Sequence, residues 1–428
     1  MTPEVKKRID QIRNGIVPEG YKKGKLGIVP GEWDEIPFST LFTSTSDYTD
    51  NLHQYPLYSL TIEDGITAKT ERYERSHLVK KDNSYKVVRP NDYAYNPMNI
   101  RFGAVARHKG DIPVAVSGYY DIFTTVHKSD LVFMDSFLTC GPMITYYNKV
   151  STGSLIEKQR VHFSDFLEFS LALPPLEERK KIAEILTTQD KAIELERQRI
   201  DEILKVKQFF LGKMFPKKGQ AVPEIRFKGF TGVWEQRKLS EMCGTFEYGL
   251  NAAAKEFDGK NKYIRITDID DASREFLLSD LSSPDICLDG MSKYLLSSGD
   301  IVFARTGASV GKTYIYREND GIVYFAGFLI RAKVNQDNDA EFVFQSTLSP
   351  SYEKYIRITS QRSGQPGVNA QEYSEYDLFA PSKEEQQRIG HFLRGIDNLI
   401  TLHQHKLEEE KKKKKALMQL LLTGIVRV

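Results

Sequence analysis

LPPLEERKKIAEILTTQDKAIELERQRIDEILKVKQFF (Leu173–Phe210) returns 207 positions later as APSKEEQQRIGHFLRGIDNLITLHQHKLEEEKKKKKAL (Ala380–Leu417). Placed one over the other without a gap, the match begins at Val161 and Val368. Glu168, Leu171, Pro174, Glu177, Glu178, Ile182, Leu186, Asp190, Ile193 and Leu195 recur as Glu375, Leu378, Pro381, Glu384, Glu385, Ile389, Leu393, Asp397, Ile400 and Leu402. A repeat on this scale defines the organisation of the chain before any single motif does. Both copies open with a helix-start grammar: a proline, then two glutamates within the first turn, where carboxylates meet the positive end of the helix dipole.

Both copies carry a seven-residue period. One column reads Leu186, Ile193, Ile200, Lys207, Met214 in the first copy and Leu393, Ile400, Leu407, Lys414, Leu421 in the second. Its partner column is mixed: Ile182, Gln189, Glu196, Ile203, Phe210, and Ile389, Ile396, His403, Glu410, Leu417. A clean apolar column beside a half-polar one suits a two-stranded coiled coil, whereas a helix lying on a domain needs a wider apolar face. The shared register predicts that the two helices pair with each other through Leu186, Ile193, Ile200, Ile203, Phe210, Leu393, Ile396, Ile400, Leu407 and Leu417. Each helix is expected to run about 55 Å at 1.5 Å per residue. The run Lys411–Lys415 follows Glu408–Glu410 and reads first as a solvated face laced by Glu-to-Lys pairs one turn apart, with phosphate contact as the alternative.

Around the helices the repeat is cyclic. Gly15-Ile16-Val17 echoes Gly424-Ile425-Val426, Val17-Pro18-Glu19 echoes Val222-Pro223-Glu224, and the only tryptophans, Trp33 and Trp234, each open a large segment. The organisation read from this is an N-terminal segment 1–22 that completes the repeat, a first large domain 23–172, a central helix 173–217, a second large domain 218–379 and a C-terminal helix 380–428. Both large domains read as mixed α/β with short strands. Ser84–Asn96 and Leu295–Arg305 each place a turn with Asp92 or Asp300 ahead of an alternating apolar strand, and Ile112–Thr125 and Ile322–Val334 read as further strands. The domains resemble each other less than the helices do, as expected if each has drifted to bind something different.

The bulk composition excludes more than it selects. The 428 residues carry 60 Lys and Arg against 58 Asp and Glu, a formal net charge of +2, so charge alone does not announce a nucleic-acid partner. No stretch of 18 apolar residues is present to span a membrane, and the N-terminal residues are too charged for a signal peptide. Cys140, Cys243 and Cys287 stand far apart, giving neither a zinc knuckle nor a disulfide framework, which fits a reducing cytoplasm. Thr306-Gly307-Ala308-Ser309-Val310-Gly311-Lys312-Thr313 lacks the first glycine of a phosphate loop. Asn96-Pro97-Met98-Asn99 lacks the second proline and the aromatic of the adenine-methyltransferase loop. The eight histidines form no HExxH and no ligand pair, and His403 sits in the helix seam. No metal site and no catalytic constellation can be nominated, and no enzyme is expected in this chain.

LPPLEERKKIAEIL (Leu173–Leu186), APSKEEQQRIGHFL (Ala380–Leu393), the terminal LLLTGIVRV (Leu420–Val428), GDIVFARTGASVGKTY (Gly299–Tyr314) and SGQPGVNAQE (Ser363–Glu372) together resemble the conserved regions of type I restriction-modification specificity subunits. YPLYSL (Tyr55–Leu60), the NDYAYN run (Asn91–Asn96), RFGAV (Arg101–Val105) and the following GYY (Gly118–Tyr120) resemble another target-recognition subclass of that family. The resemblance covers nearly the whole chain. It departs at APSKEE, where the family usually has a PLPPLEE-like run.

The resemblance implies an α/β fold of two target recognition domains separated by two long helices, which form an antiparallel coiled coil in a pseudo-twofold repeat. It implies that each domain reads one half of a split double-stranded DNA site and that the coil acts as a ruler. It also implies docking of two methyltransferase subunits and, in the full complex, of restriction/translocase subunits. S-adenosylmethionine, ATP and Mg would belong to those partners and no cofactor to this chain. Polar and aromatic side chains on glycine-flanked loops are the candidate DNA contacts, since Arg pairs with guanine and Gln or Asn with adenine. They are Arg101, Tyr119, Tyr120, Ser151, Ser154 and Arg160 in the first domain, and Asn251, Arg305, Ser309, Lys312, Gln361, Arg362 and Gln365 in the second. A coiled-coil adaptor carrying two ligand-binding heads is the rival reading.

Overall fold

A computed structural model of the chain describes residues 2–45, 47–69, 84–153, 159–217, 219–362 and 364–428. It divides into two compact units, Met1–Glu194 with Glu408–Val428, and Leu195–Leu407. Two 39-residue helices, the central one at Leu176–Met214 and the C-terminal one at Lys383–Leu421, each contribute a segment to both units.

In the first unit an antiparallel four-stranded sheet has the order Val105–Arg107, Tyr93–Tyr95, Asp121–Thr125, Phe42–Thr45. Successive side chains of a strand point to opposite faces, and the sheet uses both. Tyr93, Tyr95 and Phe123 join Phe38, Phe42 and Phe166 in one core, which also takes in Ile182 and Leu186 of the central helix and Leu421 and Leu422 of the C-terminal one. Ala94 and Ile122 face the other way, onto Leu60, Val88, Val114 and Val116. The aromatic core is closely stacked: Phe123 lies 5.1 Å from Tyr93 with rings nearly parallel and meets Phe42 edge-on at 5.0 Å.

The second unit repeats this sheet strand for strand, in the order Thr313–Ile315, Asp300–Ala304, Leu329–Val334, Cys243–Tyr248, again antiparallel. Ile301, Phe303, Ile330 and Ala332 pack on the core that includes Ile389, Leu393, Ile396 and Ile400 of the C-terminal helix. Val302, Ala304, Tyr314 and Leu329 turn to a separate core. The turn ahead of each inner strand is also the same. Asp92 Oδ2 accepts from Arg89 N (3.1 Å) and Asp300 Oδ2 from Ser297 N (2.9 Å), while the aspartate carbonyls accept from His108 N and Tyr316 N. Two domains that share little sequence therefore share one topology.

Of the expected strands, Ser84–Asn96, Ile112–Thr125 and Ile322–Val334 each resolve into two. They are Tyr85–Val88 and Tyr93–Tyr95, Val114–Ser117 and Asp121–Thr125, and Val323–Phe325 and Leu329–Val334.

The long helices run antiparallel within each unit. In the first, Gln189 Nε2 donates to Glu410 O (3.1 Å), and Ile182 and Leu186 share a core with Leu417 and Leu421. In the second, Glu196 meets His403 Nδ1 (2.6 Å) and Phe210 meets Phe392 edge-on at 4.8 Å. Leu186, Ile193, Ile200, Leu393, Ile396 and Ile400 are buried, and Ile203, Phe210, Leu407 and Leu417 partly so.

The lysine in each apolar column is matched by an aspartate of the opposite helix. Lys207 Nζ lies 2.5 Å from Asp397 and Lys414 Nζ 2.5 Å from Asp190, and the two pairs are related by the repeat. The copies differ in environment. Lys207 and Asp397 are both buried, with Gln345 Nε2 donating to Asp397 Oδ2 at 2.6 Å, whereas in the other pair Lys414 is half-buried and Asp190 exposed. Along the lysine run the ion pairs fall at three-residue spacing, Glu408–Lys411 and Glu410–Lys413.

The cyclic echo of the termini has a physical counterpart. Arg427 binds Glu178 through Nε (2.5 Å) and Nη2 (2.7 Å), and Trp33 Nε1 donates to the same carboxylate at 3.3 Å. In the second unit Arg226 binds Glu385 in the same two-pronged way, at 2.7 and 2.8 Å. The second glutamate of each helix start is thus held by an arginine lying just beyond the end of the other long helix. Arg8 Nη1 and Tyr21 Oη donate to the carbonyls of Ile425 and Gly424, each at 2.7 Å, tying the N-terminal segment to the chain end.

Candidate nucleic-acid interface

In the second unit the chain leaves strand Asp300–Ala304 into a loop held on both sides by backbone. Arg305 N donates to Phe328 O (3.0 Å), Val368 N to Arg305 O (2.9 Å) and Gly307 N to Pro366 O (3.0 Å). Gly307 has φ +70°, a left-handed conformation that favours glycine, and a Cβ there would lie 2.9 Å from the end of the Gln365 side chain. The Arg305 guanidinium stands 5.0 Å over the Tyr248 ring, whose hydroxyl accepts from Ala370 N at 3.3 Å. Asn251 lies beside Gly327, the residue before Phe328. Three of the residues expected to contact DNA, Asn251, Arg305 and Gln365, are therefore gathered on one surface. With them are two exposed aromatics that sequence reasoning missed, Tyr248 and Phe328.

The other candidates in this unit are placed elsewhere or engaged. Lys312 pairs with Asp271 (2.5 Å) and donates to Ile269 O (3.4 Å). Ser309 ends a 3-10 turn, and its carbonyl accepts from Lys312 N at 3.0 Å across the tight turn through Gly311. Arg362 binds Glu372 and donates to the carbonyl of Thr359 (2.8 Å) and to that of Gln361 (3.1 Å), which fastens the end of helix Pro350–Thr359.

In the first unit Arg101 departs from its expected part as a free reader. It is only 8% exposed, its guanidinium binds Gln159, and it lies 5.0 Å over the Phe102 ring. Its carbonyl accepts from Asn148 Nδ2 at 2.9 Å, so the residue ties the loop to the helix Gly141–Val150. Tyr120 is half-buried, and burial raises its phenol pKa above the ordinary value. Tyr119 is exposed. Ser151 Oγ donates to Asn148 O (3.0 Å) at the end of the helix, and Arg160 pairs by backbone with Thr152. Ser154 lies outside the described residues.

Burial sets the electrostatics of the sheet ends. It raises the carboxyl pKa of Asp92 and of Asp300 above the ordinary aspartate value, against the lowering effect of their turn hydrogen bonds. Cys140 and Cys243 are buried thiols pushed up to about 11 and about 12, and so are poor nucleophiles at neutral pH. Among the described residues no group of three or more His, Cys, Asp and Glu side chains is placed to share a metal ion. Among the described residues no helix is long and apolar enough to cross a membrane.

The chain is thus a mixed α/β protein of two like units, in each of which segments of the two long helices run antiparallel. The chain belongs to the type I restriction modification DNA specificity family, whose domain model matches residues 136–205 and 232–411, more than half of its length. It is 28% identical over 274 residues to the type I restriction enzyme MjaVIII specificity subunit of Methanocaldococcus jannaschii. That match covers 61% of this chain and 63% of the relative, less than two thirds of its length. The fold is similar to the type I restriction-modification S subunit from M. genitalium, with a TM-score of 0.51, 14% identity and coverage of 91% of this chain and 96% of that one. It is also similar to a chain from a type I R-M system solved to explain complex assembly and conformational transition. There the TM-score is 0.53 at 14% identity, covering 93% of this chain and 99% of that chain.

Proposed function

We propose that this chain is the non-catalytic sequence-reading component of a cytoplasmic type I restriction-modification enzyme. Each large domain reads one half of a bipartite site in double-stranded DNA, and the paired helices set the distance between the halves. The observation that carries this is the duplication of one sheet, with its buried-aspartate turn, in two domains that have kept little common sequence. A shared scaffold with divergent loops suits two readers of different sequences, because binding residues concentrate on loops positioned by a rigid frame. Half-sites on one face of a duplex lie about 34–36 Å apart per helical turn, and stiff helices hold such a distance better than a flexible linker.

Methyltransferase subunits dock on the helices, and through them the restriction subunits. Leu195, Val206 and Phe209 of the central helix and Leu399 and Leu402 of the C-terminal one support this, since they are large apolar side chains exposed outside the seam. S-adenosylmethionine, ATP and Mg act on those partners, and this chain supplies no reacting group. A near-neutral reader is adequate because partners add phosphate contacts, while specificity needs only a few side chains at base edges. The test is methylome sequencing of cells that express the chain with its methyltransferase subunit. A single bipartite motif is expected; methylation without a bipartite motif refutes the assignment.

A further inference from the structure

The matched sheets place one side chain identically in both domains. Counting from the buried turn aspartates, Tyr95 and Phe303 occupy the same position, and across the ladder they face Asp121 and Ile330. Two residues before each of these partners, and directly after a glycine, stand Tyr119 and Phe328. The rings are 48% and 59% exposed, while Ile122, Leu329 and Ile330 just beyond them are fully buried. Their backbone is not loose. Gly327 N donates to Leu250 O (2.8 Å) and Leu329 N to Ala326 O (2.8 Å), while Gly118 N donates to Ser84 O (2.8 Å) and Tyr120 N to Ser117 O (3.0 Å). An apolar ring held in water on a hydrogen-bonded frame, at the same register in two domains with little common sequence, gains nothing for the fold.

Charge indicates what covers Phe328. Arg305, its direct cross-strand neighbour, has no carboxylate partner among the described residues and is held instead over the Tyr248 ring. Arg317, Arg331 and Arg362 of the same unit are all ion-paired. An unpaired guanidinium and an exposed phenyl ring on adjoining residues of one ladder, with the Gln365 amide over Gly307 two residues on, make the donor-and-apolar set that reads the major groove. Arg suits guanine, Gln suits adenine, and an apolar ring suits the methyl group of thymine.

We propose that Phe328 and Tyr119 are equivalent apolar base readers, one per domain, each contacting a thymine methyl in its own half-site. The inference rests on the bipartite-reading assignment and adds the chemical group that each domain recognises at this position. Arg305, held over Tyr248, is joined to Phe328 by a backbone hydrogen bond, so the contacted thymine lies next to the base pair read by Arg305.

The test uses the full chain assembled with its methyltransferase subunits and duplexes carrying the motif methylated by the wild type. Each thymine is replaced in turn by deoxyuracil, which removes only the methyl group. The wild-type complex is expected to lose roughly fivefold or more in affinity at one thymine of the half-site read by the second domain. Phe328→Ala should bind that duplex and its thymine parent equally, keep the wild-type melting temperature, and leave the other half-site unaffected. Tyr119→Ala should do the same for the opposite half. If Phe328→Ala keeps the wild-type preference for thymine, or weakens binding with no thymine losing its effect, the proposal is overturned. A wild-type complex with no bipartite motif would instead overturn the assignment on which it rests.

Discussion

Single residues show how a repeat can be kept in sequence and spent differently in structure. Lys207 and Lys414 interrupt the apolar columns at the same place, and each finds an aspartate on the opposite helix. Removing one partner of a buried pair strands a charge away from water, at about 3–5 kcal/mol, whereas an exposed pair contributes about 1 kcal/mol or less. Urea unfolding should therefore show Asp397→Ala costing several-fold more than Asp190→Ala, and equal losses would contradict this. The turn aspartates make a second prediction at this scale. Because burial raises the folded-state pKa of Asp300 above its unfolded value, the folded protein holds that proton more tightly. The stability of the wild type relative to Asp300→Asn should be largest at or below the ordinary aspartate pKa and should decline as pH rises through the raised value. Melts between about pH 4 and 7 check the sign; a difference that grows with pH would be wrong for a buried carboxyl.

At the scale of elements, the helices were legible in the sequence because a seven-residue period and a proline-glutamate start survive in both copies. The turn aspartates were legible for a similar reason, as one short polar residue before an alternating run. The common sheet was not. Tyr93-Ala94-Tyr95 and Ile301-Val302-Phe303 satisfy the same alternation with different side chains, and a ladder is joined by backbone groups that carry no sequence signal. The burial of Arg101 was hidden too, because its partner Gln159 is 58 residues away. Tyr119 appeared among the candidates but Phe328 did not, since nothing in a sequence with 24 Phe separates an exposed ring from a core one.

The echo between Gly15 and Gly424 yields a prediction at this scale. Both have φ near +70°, but a Cβ at Gly424 would lie 2.4 Å from the Pro30 ring, while at Gly15 it meets nothing within 4 Å. Gly424→Ala should lower stability by about 1–3 kcal/mol more than Gly15→Ala, because it adds overpacking to a shared backbone strain. Thermal melts of the two variants decide it, and similar losses would mean that the chain end is not packed as described.

For the whole molecule, each half carries a sheet domain, a helix start and an arginine that closes onto the glutamate of that start. The unit of duplication therefore begins and ends inside a helix tail. If the paired helices measure the distance between half-sites, inserting one heptad in each, in register, should lengthen the central spacer of the methylated motif and leave both half-sites unchanged. An unchanged spacer would remove the helices from that part. The most direct measurement for the central claim is methylome sequencing after replacing residues 23–172 by the corresponding domain of a family member with a different motif. The account predicts a hybrid site in which one half is new and the other half is retained. A motif altered in both halves, or in neither, would contradict it.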